Sequence, residues 1–346
     1  MTLSLLGVLF AFPLVIFNNM AKLKLELVDI GDVIKMDETG GLLRDLVPNA
    51  LKESATAERY LEASKPKRHL LCCSSSNEKE LLQSDDKLTE QLRTSINRCL
   101  RVSDKYLRLL SLLIKSREFH LAYPTACESE KNIPIIELPK TREGKPFIPT
   151  PTGRPSDCQF NVSHQHPYLG IAKARGVKVG LDIVTFDEIN RKLYQNEREF
   201  VNVFQSSFAE SEWNSIVGSK SIMHEFFLQW AIKEAYTKAL GLGLSLEFNS
   251  FVTKLEGVEN LWDYVSENAD PDKGIVLPAT IHHSNNANPE RWSFFFLLLK
   301  SKDRLIGCAC ACVPSDEGNS GDRLTVDTRW VEIEELLVWH QQVEGR

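Results

Sequence analysis

The clearest periodicity along the chain lies between Ile222 and Leu240, where Phe226, Phe227, Trp230, Ala231, Ala235 and Leu240 recur at three- and four-residue intervals. That spacing predicts an amphipathic helix, and Gly241 supplies a left-handed stop directly after it. Trp230, Glu234 and Lys238 are four apart and lie along one side, so the polar residues border the apolar stripe instead of forming a separate solvated face. A second helix is predicted from Leu88 to about Phe119, where DKYLRLLSLLIKS has a wide apolar face with Lys105, Arg108 and Lys115 around it. Helices are also expected between Ile189 and Val217 and from Ile333 to Trp339.

Strand patterns occur at KLKLELVDI after Met20, at VKVGLDIVTF (Val177 to Phe186), and at LEFNSFVTKLEG and GIVLPATIHH. CQFNVSHQHPYLGIAKA reads as strand, bend, strand. RWSFFFLLLK and LIGCACACV read as a hairpin joined by a short SKDR turn. TREGKPFIP, Thr141 to Pro149, is a turn entering a short strand. Residues 52–90, with SSSNEKELLQSDDK, are polar and read as a loop or flexible insert, and the stretches Asn268 to Lys273 and Pro314 to Asp327 are polar as well. Helices and strands come in mixed order without a βαβ repeat, so the fold class is α+β.

At 346 residues and 42% hydrophobic content the chain can bury a sizeable core in one or two domains. A net charge of −6 gives no general attraction to nucleic acid or to an anionic membrane. Eight cysteines form no CxxC pair. Cys308, Cys310 and Cys312 alternate, so in a strand their thiols share one face. With no His or acidic cluster beside them they are read as a buried face, not a metal site, in a reduced, intracellular protein. The apolar run Leu3 to Phe17 is short for a membrane span and has no Lys or Arg before it. An anchor, a buried strand and a misassigned start are the three readings, the last two preferred.

Three polar islands interrupt apolar surroundings. Asp182 sits in the middle of VGLDIV, where a carboxylate must be solvated, bonded or metal-bound; alternatively it caps a neighbouring turn. Asn161 to His164, NVSH, offers an amide, a hydroxyl and an imidazole able to bind phosphate oxygens, or a turn satisfying its own backbone. Lys233, Glu234 and Lys238 form the third island, whose plainest reading is a surface ion pair. Taken singly, each island reads first as structural.

Taken in order, they match a pattern. The chain resembles the 4′-phosphopantetheinyl transferases of the larger, Sfp-like type. The family's GxD motif is matched by Gly180-Leu181-Asp182, and its WxxKEAxxK motif by Trp230 to Lys238. Upstream, Gly144-Lys145-Pro146 matches a GKP turn and Phe160 to His164 matches FNxSH. Phe208 to Ile216, FAESEWNSI, resembles the segment before the signature helix, and Asp104 to Lys115 resembles a helix of fungal members. The likeness covers roughly residues 88–255.

The resemblance implies two similar α+β halves related by a pseudo-twofold axis, each with a small antiparallel sheet and a long helix, with coenzyme A and Mg²⁺ between them. It implies an N-terminal half at 88–175, a C-terminal half at 176–313, a tail at 314–346, and a segment 1–87 with no match. The implied reaction is that of a holo-acyl-carrier-protein synthase. It moves 4′-phosphopantetheine from coenzyme A to a serine of apo acyl or peptidyl carrier proteins and releases adenosine 3′,5′-bisphosphate. Asp182 and Glu234 would hold Mg²⁺. Glu234 would also be the base, directly or through a metal-bound water, and Lys238 would meet the phosphates. Arg142, Lys145, Asn161, Ser163 and His164 would hold the nucleotide, with Arg101, Lys105 or Arg108 reaching its 3′-phosphate. Phe200, Val203, Phe204 and Lys220 would meet the carrier. Val184 stands where many bacterial members have a second acid, leaving a water or Glu188 to complete the metal shell. A cytoplasmic monomer without nucleic-acid or membrane partners is expected. The competing readings are an inactive coenzyme A-binding module, a Mg²⁺-dependent phosphohydrolase and a non-enzymatic scaffold.

Overall fold

The computed structural model describes residues 22–37, 54–57, 76–124, 134–186, 192–286, 288–302, 304–315 and 324–333, with isolated positions between them. The chain runs β1 (Lys22–Asp29), α1 (Gly31–Met36), β2 (Ser54–Thr56), α2 (Ser76–Asn97), α3 (Val102–Ala122), β3 (Ile135–Glu137), β4 (Cys158–Gln165), β5 (Tyr168–Arg175) and β6 (Gly180–Thr185). It continues with α4 (Glu197–Asn202), α5 (Glu210–Gly218), α6 (Ile222–Leu240), β7 (Phe251–Leu255), α7 (Leu261–Asn268), β8 (Ile275–His283), β9 (Glu290–Ser301), β10 (Arg304–Pro314) and β11 (Thr325–Trp330). The α+β class expected from the sequence holds. The apolar run Leu3 to Phe17, Glu188 and residues 337–339 of the last expected helix lie outside the described residues.

A four-stranded sheet has the order β11-β1-β5-β4, and a five-stranded antiparallel sheet the order β6-β10-β9-β8-β7. The inner faces of the two sheets pack together through Leu23, Leu25 and Leu27 of β1, Leu181 and Ile183 of β6, and Ala309 and Ala311 of β10. Helix α3 covers the outer face of the first sheet, and α6 that of the second. Strand β10 shows why this stacking follows from the sequence. Its alanines at 309 and 311 face the other sheet, while Cys308, Cys310 and Cys312 face α6. Both faces are apolar because both are covered. The three thiols are fully buried, and burial holds them well above the usual thiol range. They are packing groups, as their alternation implies.

Three expectations are corrected. The polar stretch read as a loop up to residue 90 carries α2 from Ser76, and the long helix expected from Leu88 is divided at residues 98–101 into α2 and α3. The polar tail supplies β11, which pairs in parallel with β1 from Lys22↔Thr325 to Leu27↔Trp330. Half-exposed or exposed at every position, β11 has no apolar alternation to betray it. Helix α7 carried no expectation at all, although Asn260 caps it by accepting from the Asp263 amide at 2.9 Å.

Candidate active site

The two sheets meet edge to edge where β4 lies beside β6. An exposed edge leaves main-chain N–H groups without partners, and here side chains supply them. Asn161 and Ser163, two apart and on one face of β4, accept from the amides of Leu181 (3.1 Å) and Ile183 (3.1 Å). Ser163 also donates to Asp182 Oδ1 at 3.2 Å and accepts from Lys238 Nζ at 3.2 Å. Its one donor and two acceptor positions are then filled. Lys238 completes a triangle by donating to Asp182 Oδ1 at 2.6 Å.

Gly180 sets the distance of α6 from β6. A Cβ there would fall 1.8 Å from the Ala235 carbonyl oxygen, so only glycine lets the helix backbone lie against the strand. That approach brings Lys238 and Glu234 over Asp182. Gly241, at φ +77°, ends the helix as expected, and the Leu242 amide donates to the Thr237 carbonyl at 3.1 Å. Lys233, by contrast, turns into the core. It is fully buried, pairs with Glu212 at 2.8 Å and donates to the carbonyls of Phe248 (3.0 Å) and Phe251 (2.5 Å). Glu212 in turn accepts from the Thr253 amide at 2.9 Å.

Asp182, Ser163, His164, Glu234 and Lys238 line a cavity of about 540 Å³ whose opposite wall is Phe200, Phe204, Phe226, Phe227 and Trp230. Desolvation raises the Glu234 carboxyl above the usual range; Asp182 adds to the rise and Lys238 opposes it. His164 is held low by desolvation and then by Lys238, Lys115 and Arg108, with Asp104 opposing. Lys115 is pushed down to about 8 by desolvation and by Arg108 and Lys140, with Glu137 opposing. Lys238 on the cavity wall, with Lys115 and Arg108 of α3 acting on His164, gives that end a positive field, which an anionic ligand needs.

The donor set suits Mg²⁺. That ion keeps several waters and binds through one or two carboxylates plus substrate oxygens, and Asp182 and Glu234 are two neighbouring carboxylates whose mutual repulsion a cation relieves. Among the described residues no group of three acidic, His or Cys side chains converges. Val184 is 7% exposed and packs in the core against α6.

The other expected contacts fall differently. Lys145 donates to the carbonyls of Val179 (3.1 Å) and Ala239 (3.0 Å), tying its turn to β6 and α6 outside the cavity; burial lowers it to about 8. Arg142 lies exposed on that turn. Arg108 faces His164, and Lys115, not among the expected phosphate contacts, joins it. A lysine inside the apolar run SLLIKS was its signal in the sequence. Phe200 meets Phe226 edge to face at 5.8 Å and Phe204 packs tilted against it at 5.2 Å, while Val203 is 59% exposed.

Residues 178–262 match the family model described as the 4′-phosphopantetheinyl transferase superfamily. The chain is similar to an L-aminoadipate-semialdehyde dehydrogenase-phosphopantetheinyl transferase of Schizosaccharomyces pombe, 33% identical over 49% of this chain and 64% of the relative. It is similar to the human protein of that description, 33% identical over 34% of this chain and 38% of the relative. A 4′-phosphopantetheinyl transferase gsp of Aneurinibacillus migulanus is 28% identical over 47% of this chain and 60% of its own length. In each case the match spans less than two thirds of the relative's length. The segment that matches this family model, residues 178–262, is the one that carries both motifs and the Asp182–Lys238–Glu234 cluster, in keeping with the motif resemblance.

Proposed function

We propose that this protein transfers the 4′-phosphopantetheine arm of coenzyme A to a serine hydroxyl of apo carrier proteins, with Mg²⁺ held by Asp182 and Glu234. The names of the relatives point to aminoadipate-semialdehyde dehydrogenase as one acceptor. The sequence resemblance extends the class to the carriers of fatty acid, polyketide and peptide synthases. The observation that carries this reading is Glu234: a carboxylate with a raised pKa beside a carboxylate–lysine pair, in a cavity with cations at one end.

A bound Mg²⁺ would supply charge neutralisation on the pyrophosphate and thereby stabilise the leaving group. The chain's own groups do the rest. Glu234, on the cavity wall, is the carboxylate that would take the proton of the acceptor hydroxyl as its oxygen attacks the pantetheine-side phosphorus. The bond from that phosphorus to the bridging oxygen breaks, and adenosine 3′,5′-bisphosphate leaves with the electron pair. Lys238 is placed to meet the oxygens of the departing phosphate. Arg108 and Lys115 supply positive charge beside a neutral His164 that can donate a hydrogen bond, an end suited to the 3′-phosphate, and the aromatic wall limits water. The two layered halves are taken as the pseudo-twofold pair of the family.

Intact-protein mass spectrometry of an apo carrier protein with coenzyme A and Mg²⁺ tests this. A gain of one phosphopantetheine with wild type, absent with Glu234→Ala and with EDTA, is expected. Coenzyme A binding without any gain on several unrelated carriers favours the inactive module. Coenzyme A breakdown without a carrier favours the phosphohydrolase.

A further inference from the structure

A cavity of about 700 Å³ lies under the C-terminal end of α3, on the outer face of the first sheet, and shares no residue with the one that holds Asp182 and Lys238. Its floor follows from the strand register. Lys24 of β1 stands directly across from Lys173 of β5, and Lys173 from Phe160 of β4. Two residues along, Arg175 stands across from Cys158, and Lys22 joins the same face of β1. Lys173 is compensated. It donates to Glu26 at 2.6 Å and to Glu118 at 3.1 Å, and Arg117 pairs with the same two carboxylates. The cations outside that buried square are poorly matched. Arg175 has only Asp157, at 3.9 Å, with both side chains largely exposed. Lys24 has Asp327 beside it on β11, yet neither Lys24 nor Lys22 forms an ion pair among the described residues. Above the floor, Leu121 and Tyr123 at the end of α3 and Ile148 supply an apolar roof. The Tyr123 hydroxyl donates to the Pro149 carbonyl at 2.5 Å and so ties α3 to the loop that forms the far wall.

We infer that this cavity binds a small organic monoanion with an apolar body, at a site separate from the candidate active site and independent of the transferase reading. Its volume is that of a small-molecule pocket. Lys22, Lys24, Lys173 and Arg175 line it against two carboxylates, Glu118 and Asp157. Glu118 is already spent on Arg117 and Lys173, so an occupant meets an excess of positive charge. A wholly apolar occupant would strip water from those cations and put nothing in its place. A polyphosphate would meet Glu118 and Asp157 and leave the roof wet. An anionic head over Lys24 and Arg175 offsets the like charge that Lys24 and Lys173 place opposite each other. The third donor position of Lys173, unfilled by protein, is open to the same head. The body then takes Phe160, Leu121 and Ile148 out of water.

The probe is 8-anilinonaphthalene-1-sulfonate, a sulfonate on an apolar aromatic body, titrated by fluorescence into the full chain with and without saturating adenosine 3′,5′-bisphosphate. Binding should saturate and persist when the nucleotide is present. Lys24→Glu and Arg175→Glu, both at exposed positions, should each raise the probe's Kd about tenfold or more. Leu121→Asp, which puts a carboxylate in the roof, should do the same. Lys254→Glu, the same change of charge at an exposed position of β7, should leave the Kd within about twofold. N-phenyl-1-naphthylamine, the same rings without the sulfonate, should bind about fivefold more weakly or worse and ignore Lys24→Glu. Equal thermal midpoints establish that the variants fold, and if Lys24→Glu does not, Arg175→Glu decides. Displacement of the probe by the nucleotide places it in the other cavity and overturns the inference. So does a Kd unmoved in the folded cavity variants, or equal binding of the neutral analogue. Failure of wild type to transfer phosphopantetheine overturns the transferase reading and leaves this inference standing, since no step of it uses the coenzyme.

Discussion

If the nucleotide's phosphate lies beside His164, Lys115, whose charge acts on that residue, should make nucleotide binding pH-dependent. Its ammonium is desolvated in α3 and faces Arg108 and Lys140, with Glu137 as the compensating carboxylate, which brings it down to about 8. A phosphate dianion beside it would restore the ordinary value near 10.5. Below pH 8 the amine is charged in both states and binding carries no penalty. At pH 9 only about one free molecule in eleven is protonated, so affinity falls about tenfold, or about 1.4 kcal/mol, relative to pH 7. Calorimetry with adenosine 3′,5′-bisphosphate is the assay, because the ligand has no thiol and its phosphates are ionised above their second pKa near 6. Titrations in buffers of different ionisation enthalpy should show nearly one proton taken up per ligand at pH 9. Lys115→Met should bind more weakly at pH 7 and lose the slope above pH 8. Lys145 also lies near 8, but it is present in both proteins and stands outside the cavity, so the difference isolates Lys115. The sign for stability runs the other way. A lysine depressed in the fold leaves the unfolded state with more bound protons between about 8 and 10.5, so the unliganded protein gains stability from this group as pH rises through that window. A mutant that keeps the wild-type slope in affinity, or a wild type without proton uptake, refutes the placement of Lys115 at the anion.

Three further outcomes follow from the geometry. Glu234→Gln should cut turnover by roughly 10²- to 10⁴-fold, the usual worth of a positioned base, with nucleotide Kd little changed; single-turnover mass spectrometry reads both. Gly180→Ala places a methyl against the Ala235 carbonyl and should cost about 1–3 kcal/mol or more by urea unfolding, so a neutral result would show that α6 can move off β6. Glu212→Gln leaves the buried Lys233 charge without its carboxylate and should cost about 3–5 kcal/mol; adding Lys233→Met should recover part of that loss, and a double mutant no better than the single argues against the pair.

Much of the fold was legible because buried layers leave period and composition in the sequence. Helix α6 has its stripe and its glycine stop, and β9 and β10 are apolar on both faces because a helix covers one and a sheet the other. The elements that escaped lack such a signal. Strand β11 is held by main-chain pairing to β1 with little side-chain burial, and α2 begins in a polar run that no apolar stripe marks as helical. The register that carries the site was only half legible. That Asp182 and Glu234 converge follows from the order of two motifs, but that Gly180 permits it is a matter of distance across space, which spacing along the chain does not encode.

The residues of NVSH show most plainly how a structural and a chemical reading can both hold. Asn161 and Ser163 do satisfy a backbone, yet it is the backbone of β6, some twenty residues on, and not their own turn. By satisfying it they fix β4 against β6, and that junction is what sets Asp182 under Lys238 and turns His164 toward the cations of α3. Lys145 and Lys233 repeat the pattern: the first is expected at the nucleotide and the second in a surface ion pair, and each instead binds main-chain carbonyls that hold a wall of the site in place. A lysine in a transferase motif is therefore not by that fact a ligand of the substrate. Lys238 also donates to protein acceptors, Ser163 and Asp182, but does so on the cavity wall, whereas Lys145 and Lys233 spend their donors on main-chain carbonyls away from it. Lys115, held down to about 8 by burial and by Arg108 and Lys140 with Glu137 opposing, carries its role as a proposal that the calorimetry decides, and not by its place beside a motif.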